Sequence, residues 1–511
     1  MEDRLAERRR NFKKGAAGAE DSRRLREDET VQIRKKEREQ QMAHRRRMDE
    51  PDEFISIHSA ARQDSHAKLL ELLQAIQTGA ADVKLKAVQT VRKMLSVENS
   101  PPIQQVIDLG YIPYLVEFLK AENFPEIQFE AAWALTNVAS GTAEQTRIVV
   151  EHNTIPLFIA LIGSPHTDVK EQSVWALGNI AGDNPDLRNS CLRSGIIERL
   201  LHVARTAEKI SVLRTVTWCI GNLCRGKPQP QLEAVAPALP ALVNLISQED
   251  SEVVVDALWA LSYISDGSND RIQAVIESGA CKKLVDLLNS SSPTIQTPAL
   301  RTVGNLVTGD DRQTQVMLNQ GVIPALKALM SHSKKNIRKE ACWAISNITA
   351  GTKEQIHEVL SGGCVPKLVD IMLRGEFDVK KEAVWAIANS TTDGSAEQID
   401  YLVSQGVITA LCHLLKVKDT RMIVCILEGL DHILAAGELQ AGENPYLRLI
   451  EECDGLTSIE ALQSDENDEV YKKAVKVLEY FPQEGEGEDD SQAFGASTSM
   501  AGGFNFSGMQ Q

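Results

Sequence analysis

The hydrophobic and polar positions of the chain repeat along its central part. An apolar stretch carrying Trp, followed four residues later by Asn, occurs first as Ala132-Trp133-Ala134-Leu135-Thr136-Asn137. The Trp position of this pattern recurs at residues 133, 175, 218, 259, 301, 343 and 385, in steps of 41 to 43 residues. Between these segments apolar residues return with helical spacing. The central chain is therefore predicted to be a tandem array of helical units.

A second marker lies in phase with the Trp positions. The segment Gly110-Tyr111-Ile112-Pro113 has counterparts at residues 153–156, 321–324, 363–366 and 406–408. Gly commonly ends a helix, and Pro is favoured at the start of one. A further pattern, such as residues 168–174, begins a longer helix before each Trp. Three helices in a period near 42 residues indicate armadillo units rather than two-helix HEAT units.

The repeat can be followed beyond the central units in both directions. A helical segment at residues 87–92 lies 42 residues before Trp133 and lacks Trp and Asn, and degenerate units follow around Glu428 and Tyr471. Terminal repeats are atypical because they also face water. We predict an all-α, right-handed armadillo solenoid of about ten repeats at 65–482. A basic arm at 1–50, a linker at 51–64 and a disordered tail at 483–511 complete the chain.

Composition and charge restrict the class of protein. Of the 511 residues, 43% are hydrophobic and 5% aromatic, and no stretch has the roughly 18 apolar residues that cross a bilayer. The nine cysteines are scattered singly, which favours reduced core thiols over a disulfide framework or zinc site. A cytosolic or nuclear protein is expected. The net charge of −16 divides into +4 on residues 1–50 and −20 on the rest.

Trp and Asn four residues apart lie one above the other on one helix face. Five repeats keep both residues, and Asn occupies its position in six of seven repeats although it is a poor helix former. An amide is both donor and acceptor, so a row of Asn side chains suits the backbone of an extended peptide. Neighbouring indoles would hold the aliphatic stem of a Lys or Arg, with cation–π attraction near its charge.

Carboxylates near this row indicate the charge of the ligand. They are Asp183, Glu171, Asp256, Asp266, Glu340, Glu382 and Asp311. Some of them are ordinary solvated helix residues on the simplest interpretation. Together with the charge of −20 they favour an anionic groove and a basic, extended ligand.

The row is interrupted once. Tyr263 replaces Asn, and Arg301 replaces Trp in the next repeat. Complete Trp–Asn pairs therefore form two blocks. The first block runs from Trp133 to Asn222 and has Trp259 as an additional indole. The second block runs from Trp343 to Asn389 and has Asn305 as an additional amide. A ligand that engages both blocks would carry two basic clusters separated by a spacer.

On these motifs the chain resembles the importin alpha (karyopherin alpha) family over nearly its whole length. The resemblance implies an adaptor that binds nuclear localisation signals. Its major site would comprise Trp133, Asn137, Trp175, Asn179, Trp218 and Asn222, with Asp256 and Trp259 beside it. Its deepest lysine pocket would correspond to Gly141, Thr146 and Asp183. Its minor site would comprise Asn305, Asp311, Thr314, Glu340, Trp343, Asn347, Glu382, Trp385 and Asn389.

The basic arm indicates further partners. Arg8-Arg9-Arg10, Lys13-Lys14 and the basic groups at 23–26 and 34–38 resemble the family's importin-beta-binding segment. Without that resemblance, nucleic acid is the usual partner of such arms, but the acidic body would oppose phosphates. The cluster His44-Arg45-Arg46-Arg47 is expected to compete with cargo for the acidic groove. The resemblance also implies an export receptor at the C-terminal repeats and shuttling between cytoplasm and nucleus.

No constellation of a nucleophile, a metal site or paired catalytic carboxylates stands out, so neither an enzyme nor a cofactor is expected. No membrane partner is expected. The alternative to a transport adaptor is an armadillo scaffold of the catenin kind, which binds other extended peptides. A positive groove would favour that alternative.

Overall fold

The computed structural model describes residues 61–97, 100–440 and 442–482. Within these ranges the regular elements are α-helices and three short 3-10 turns, without a β-strand. The predicted all-α class is confirmed. The predicted arm (1–50), the tail (483–511) and the linker up to residue 60 lie outside the described residues.

The helices form ten successive groups. Repeat 1 holds α1 (Ala61–Thr78) and α2 (Ala81–Leu95). Repeat 2 holds α3 (Ile103–Asp108), α4 (Ile112–Phe118) and α5 (Pro125–Val138). Repeat 3 holds α6 (Ala143–Glu151), α7 (Thr154–Leu161) and α8 (Thr167–Asp183). Repeat 4 holds α9 (Pro185–Arg193), α10 (Ile196–Thr206) and α11 (Ile210–Cys224). Repeat 5 holds α12 (Leu232–Val235), α13 (Leu239–Leu245) and α14 (Ser251–Ser265). Repeat 6 holds α15 (Asn269–Glu277), α16 (Cys281–Leu288) and α17 (Pro293–Leu306). Repeat 7 holds α18 (Asp311–Asn319), α19 (Val322–Leu329) and α20 (Lys335–Thr349). Repeat 8 holds α21 (Lys353–Ser361), α22 (Val365–Arg374) and α23 (Phe377–Thr392). Repeat 9 holds α24 (Ala396–Ser404), α25 (Val407–His413) and α26 (Thr420–Glu438). Repeat 10 holds α27 (Pro445–Glu452), α28 (Gly455–Ala461) and α29 (Asp468–Leu478).

The last helix of each repeat packs against the last helix of the next, from α2 to α29. The buried Ala, Leu, Val and Ile side chains form one continuous core along the array. A single repeat cannot bury its apolar faces, so stacking is what stabilises each unit. The predicted solenoid is confirmed.

The start of the second helix is marked by a left-handed residue, as the Gly marker predicts. Gly110 (φ 77°), Gly321 (72°), Gly363 (68°) and Gly406 (81°) precede α4, α19, α22 and α25. Asn153 takes the same conformation (φ 56°) before α7, which an Asn side chain tolerates better than most others. A left-handed residue therefore lies between the first two helices of each of these repeats.

Repeat 5 departs from the three-helix pattern. Its first helix, α12, has four residues, since Pro228 and Pro230 occupy the segment before it. The buried guanidinium of Arg188 fixes this segment by donating to the carbonyl oxygens of Arg225 (2.6 Å) and Pro228 (2.7 Å). The solenoid thus keeps its stacking across an irregular repeat.

Candidate peptide-binding face

The Trp and Asn positions lie on the last helices of successive repeats. Each Trp is half-buried, and each Asn one turn later is 0 to 5% exposed. The face formed by these side chains is called the Trp/Asn face. Its members are Trp133 and Asn137 on α5, Trp175 and Asn179 on α8, Trp218 and Asn222 on α11, Trp259 on α14, Asn305 on α17, Trp343 and Asn347 on α20, and Trp385 and Asn389 on α23.

The Asn amides join neighbouring repeats. Asn222 Nδ2 donates to the carbonyl oxygen of Gly178 at 3.0 Å, and Asn389 Nδ2 donates to that of Ser346 at 2.9 Å. Corresponding bonds run from Asn305 to Ser262 (3.0 Å) and from Asn179 to Thr136 (3.4 Å). The acceptor is always the residue just before the Asn position, or its equivalent, in the preceding repeat.

These bonds change the role expected for the Asn row. Sequence reasoning assigned both the donor and the acceptor of each amide to a ligand, whereas one amide N–H of Asn179, Asn222, Asn305 and Asn389 is used within the solenoid. The Oδ1 atoms of Asn179 and Asn389 are buried and have no hydrogen-bond partner among the described residues. Asn305 Nδ2 also donates to Ser265 Oγ at 3.2 Å, so this amide makes two bonds within the solenoid.

Two glycines leave the space that two of the indoles, those of Trp218 and Trp343, occupy. A Cβ on Gly178 would lie 2.1 Å from a ring carbon of Trp218, and one on Gly304 would lie 2.2 Å from a ring carbon of Trp343. Each ring therefore rests on the backbone of the preceding repeat. Sequence reasoning missed both residues, although a Gly directly before the Asn of the row, as in Gly178-Asn179 and Gly304-Asn305, was the available signal.

The predicted lysine pocket combines a turn with the end of a helix. Thr146 is fully buried in α6, and its hydroxyl donates to the carbonyl of Ala139 at 3.0 Å. Gly141 is exposed, and a side chain there would collide with Gln145, whose Oε1 would lie 2.1 Å from the added Cβ. Asp183, half-buried, continues the line of Trp175 and Asn179 by one more turn of α8, and α8 contacts α6. Asp183 also accepts from Asn184 at 2.8 Å.

Thr314 repeats the arrangement of Thr146 in the second block. It is fully buried in α18 and donates to the carbonyl of Val307 at 3.3 Å. Asp311 is half-buried in the first turn of the same helix, and its backbone carbonyl accepts from Gln355 at 2.7 Å. A hydroxyl and a carboxylate therefore lie beside both blocks.

The carboxylates differ in what surrounds them. Asp256 and Glu382 are half-buried, three residues before Trp259 and Trp385. Glu171 accepts from the hydroxyls of Ser211 (3.0 Å) and Thr215 (3.3 Å). Asp266 is half-buried, with Lys227 4.0 Å away. Glu171, Asp256 and Glu382 lie on last helices of their repeats, and Asp266 directly follows α14.

Glu340 does not fit that description. Both of its oxygens accept from Arg301, each at 2.9 Å. Burial lowers the pKa of Arg301, but the charge and hydrogen bonds of Glu340 outweigh burial and raise it. The charge of Glu340 is therefore compensated within the solenoid, and its expected role as an open carboxylate is corrected. Sequence reasoning missed the pair because its members are 39 residues apart on adjacent helices.

The interruption of the row has a packing of its own. The ring of Tyr263 stacks on Trp259 of the same helix, with centroids 6.0 Å apart. Arg301, at the next Trp position, is directed to Glu340. The predicted gap between the blocks thus contains an aromatic pair and an ion pair instead of a Trp–Asn pair.

One further residue on this face was missed in repeat 1. Arg92, on α2, places its guanidinium carbon 4.2 Å from the centre of the Trp133 ring and pairs with Glu130 at 2.8 Å. The signal was a step of 41 residues from Arg92 to Trp133, which also places Ser96 at the Asn position. Asn137 Nδ2 donates to Ser96 Oγ at 3.0 Å, as Asn donates to the preceding repeat elsewhere.

The described part of the chain has no group of three or more side chains that could hold a metal ion. Its helices do not include one with the length and apolar character needed to cross a membrane. All nine cysteines are free thiols, eight of them buried, as expected for core residues. The predicted competing cluster, His44, Arg45, Arg46 and Arg47, lies outside the described residues.

The sequence matches three family models. The Armadillo/beta-catenin-like repeat model matches eight segments between residues 99 and 424. The Importin beta binding domain model matches residues 8–89, and the Atypical Arm repeat model matches residues 444–495. Armadillo matches thus cover most of the chain, with a different module at its start.

Relatives match over almost the whole chain. Importin subunit alpha-2 of Arabidopsis thaliana is 53% identical over 524 residues, which cover 98% of this chain and 98% of that protein. Importin subunit alpha-B of Dictyostelium discoideum is 49% identical over 97% of each chain. The crystal structure of an engineered protein is 26% identical, covers 81% of this chain and 98% of its own, and has a TM-score of 0.74.

Proposed function

The chain belongs to the importin alpha family of nuclear import adaptors, and from this premise we propose that its Trp/Asn face binds the basic nuclear localisation signals of cargo proteins. Family membership places it among transport adaptors rather than enzymes. The ligand we propose is an extended peptide whose Lys and Arg stems lie between successive indoles. Its main chain would meet the Asn amides.

The observation that carries this proposal is the guanidinium of Arg92 over Trp133. It shows, within the chain itself, an indole of this face with a cation 4.2 Å from its centre and a carboxylate 2.8 Å from the cation. Cation–π attraction is strongest when the partners are partly desolvated. The same type of indole recurs at Trp175, Trp218, Trp259, Trp343 and Trp385.

The first block is proposed as the major site. Asp183, Thr146 and the carbonyl of Gly141 together offer an anion and two neutral acceptors to an ammonium group, which has three donors. The second block has one space bounded by two indoles, those of Trp343 and Trp385. It is proposed as the minor site. A signal with two basic clusters would occupy both.

The N-terminal arm is proposed to bind importin beta. This rests on the match of residues 8–89 to the Importin beta binding domain. We further propose that residues 44–47 compete with cargo for the Trp/Asn face, that an export receptor binds the C-terminal repeats, and that the protein shuttles between cytoplasm and nucleus. The opposite charges of arm and body support the competition.

The groove assignment is tested by Asp183→Lys. A charge-assisted bond to an ammonium is worth about 1.5–3 kcal/mol, and a lysine adds repulsion, so a monopartite signal should bind at least about 100-fold more weakly. The measurement is fluorescence anisotropy with a Pro-Lys-Lys-Lys-Arg-Lys-Val peptide and the chain lacking residues 1–60, which retains every described helix.

Asp186→Lys is the matched control. Asp186 is exposed in the first turn of α9, so the substitution changes net charge equally without touching the pocket. We expect less than a threefold effect. A change below threefold for Asp183→Lys as well would defeat the assignment, and tight binding of an acidic peptide would favour the scaffold function instead.

A further inference from the structure

Arg92 occupies the position where a Trp would stand if repeat 1 followed the pattern. It lies on α2, which packs directly against α5, the helix of Trp133. Its guanidinium covers the indole from the side of repeat 1, while α8 and Trp175 lie on the other side of α5. The interval between repeats 1 and 2 is therefore filled by a cation that belongs to the chain.

The guanidinium of Arg92 is fixed in that place. Its Nε donates to Glu130 Oε2 at 2.8 Å, and Gln89 donates to the other oxygen of Glu130 at 3.1 Å. The side chains of Arg92 and Glu130 are each 7% exposed. Moving Arg92 away would leave Glu130 buried without its counter-ion, which is strongly unfavourable. A ligand is therefore not expected to displace it.

The second block begins in the same way. Arg301 occupies the Trp position before Trp343, and its partner Glu340 lies three residues before Trp343, as Glu130 lies three residues before Trp133. Each block of Trp–Asn pairs is thus preceded by an Arg at the Trp position, paired with a Glu on the next repeat. Two independent occurrences indicate a common role for this arrangement.

Building on the proposed function, we propose that Arg92 ends the run of basic residues that the first block accepts. Beyond Trp133 a ligand Lys or Arg finds the indole face already covered by a guanidinium whose charge Glu130 compensates, so it gains no cation–π contact there. A basic ligand residue therefore has no advantage over a neutral one at that position. Arg92 therefore sets the register of the bound signal and determines specificity at one end of it.

The test measures this preference directly in the full chain. The probe is a peptide with four consecutive basic residues flanked by three alanines on each side. Each flanking alanine is replaced in turn by Lys, and dissociation constants are measured by fluorescence anisotropy. Any competition by the N-terminal arm cancels in the Lys-to-Ala ratio, because both peptides of a pair meet the same protein.

In the natural chain we expect one flank where Lys improves binding over Ala by less than about twofold. Arg92→Ala with Glu130→Gln removes the ion pair without leaving a buried charge. A Lys on that flank should then gain about fivefold or more from the uncovered indole. Arg92→Met with Glu130→Gln keeps the indole of Trp133 covered, so Lys on that flank should again gain less than about twofold.

Arg338→Ala with Glu376→Gln is the matched control, since it removes another Arg–Glu pair between repeats. It should keep the flank profile of the natural chain. The inference is overturned if Lys gains fivefold on both flanks of the natural chain, or if the Ala/Gln variant gains nothing. If that variant does not fold, a fivefold gain for Lys in the Met/Gln variant, in which the indole stays covered, overturns it equally. If no basic peptide binds better than its all-alanine counterpart, the proposed function itself fails.

Discussion

At the scale of single residues, the side chains that face the proposed ligand also hold the solenoid together. Asn222 and Asn389 each donate an N–H to the preceding repeat, and Trp218 rests on the backbone of Gly178. Loss of peptide binding in a variant of this face is therefore meaningful only beside a measurement of stability. The glycines offer the cleanest way to separate the two effects.

Gly178→Ala is expected to weaken both binding and stability. The added Cβ would lie 2.1 Å from the Trp218 ring, so the indole must leave its place. Overpacking of this kind costs about 1–3 kcal/mol. Gly221→Ala is the matched control, since it is the equivalent position in the next repeat and its Cβ would meet only a carbonyl oxygen at 3.7 Å. Thermal unfolding and anisotropy should show losses for Gly178→Ala alone, and equal behaviour of the two variants would contradict this account.

At the scale of the element, the last helix of each repeat could be predicted almost completely. The 42-residue period identified the helix, its Trp and its Asn, because every repeat packs against its neighbours in the same way and so places the same residue types at the same positions. The partners of those residues could not be predicted. Glu340 and Arg301, or Glu130 and Arg92, meet only because adjacent helices bring residues 38 or 39 positions apart into contact.

The two blocks should respond differently to loss of one Trp–Asn pair. Trp175→Ala with Asn179→Ala should weaken monopartite and bipartite signals by about tenfold or more, since a buried contact and a hydrogen bond are lost together. Trp385→Ala with Asn389→Ala should mainly weaken bipartite signals. Both variants lose an Asn N–H bond to the preceding repeat, 3.4 Å long for Asn179 and 2.9 Å for Asn389, so thermal unfolding of both accompanies the binding measurement. Equal loss of monopartite binding in the two would contradict the assignment of separate sites.

At the scale of the whole molecule, charge is divided along the chain. Residues 1–50 carry +4, and the remainder carries −20. Such a division favours association of the arm with the body, and the match to an Importin beta binding domain gives the arm a second partner. If the arm binds the body as proposed, binding of either partner would weaken binding of the other, because one segment cannot occupy both.

The last prediction is autoinhibition by residues 44–47. Thirteen residues connect Arg47 to repeat 1 at Ala61, a span of at most about 50 Å, and helices pack about 8–10 Å apart, so repeats 2 to 4 are within reach. With a dissociation constant near 10 μM for the cluster and an effective concentration near 1 mM, cargo affinity would fall about 100-fold. The cluster offers His44 and three Arg, whereas the pocket at Asp183 suits an ammonium, so we expect a fall closer to tenfold.

The measurement compares cargo affinity in the full chain, in the chain lacking residues 1–60, and in Arg45→Ala with Arg46→Ala. Removing the arm and neutralising the cluster should both restore affinity, and so should importin beta by capturing the arm. Arg9→Ala with Arg10→Ala is the matched control, since it removes the same charge from the arm outside the cluster. Restoration by that control would mean that overall charge, rather than residues 44–47, causes the inhibition. Equal affinity in all four proteins would show that the arm does not compete for the Trp/Asn face.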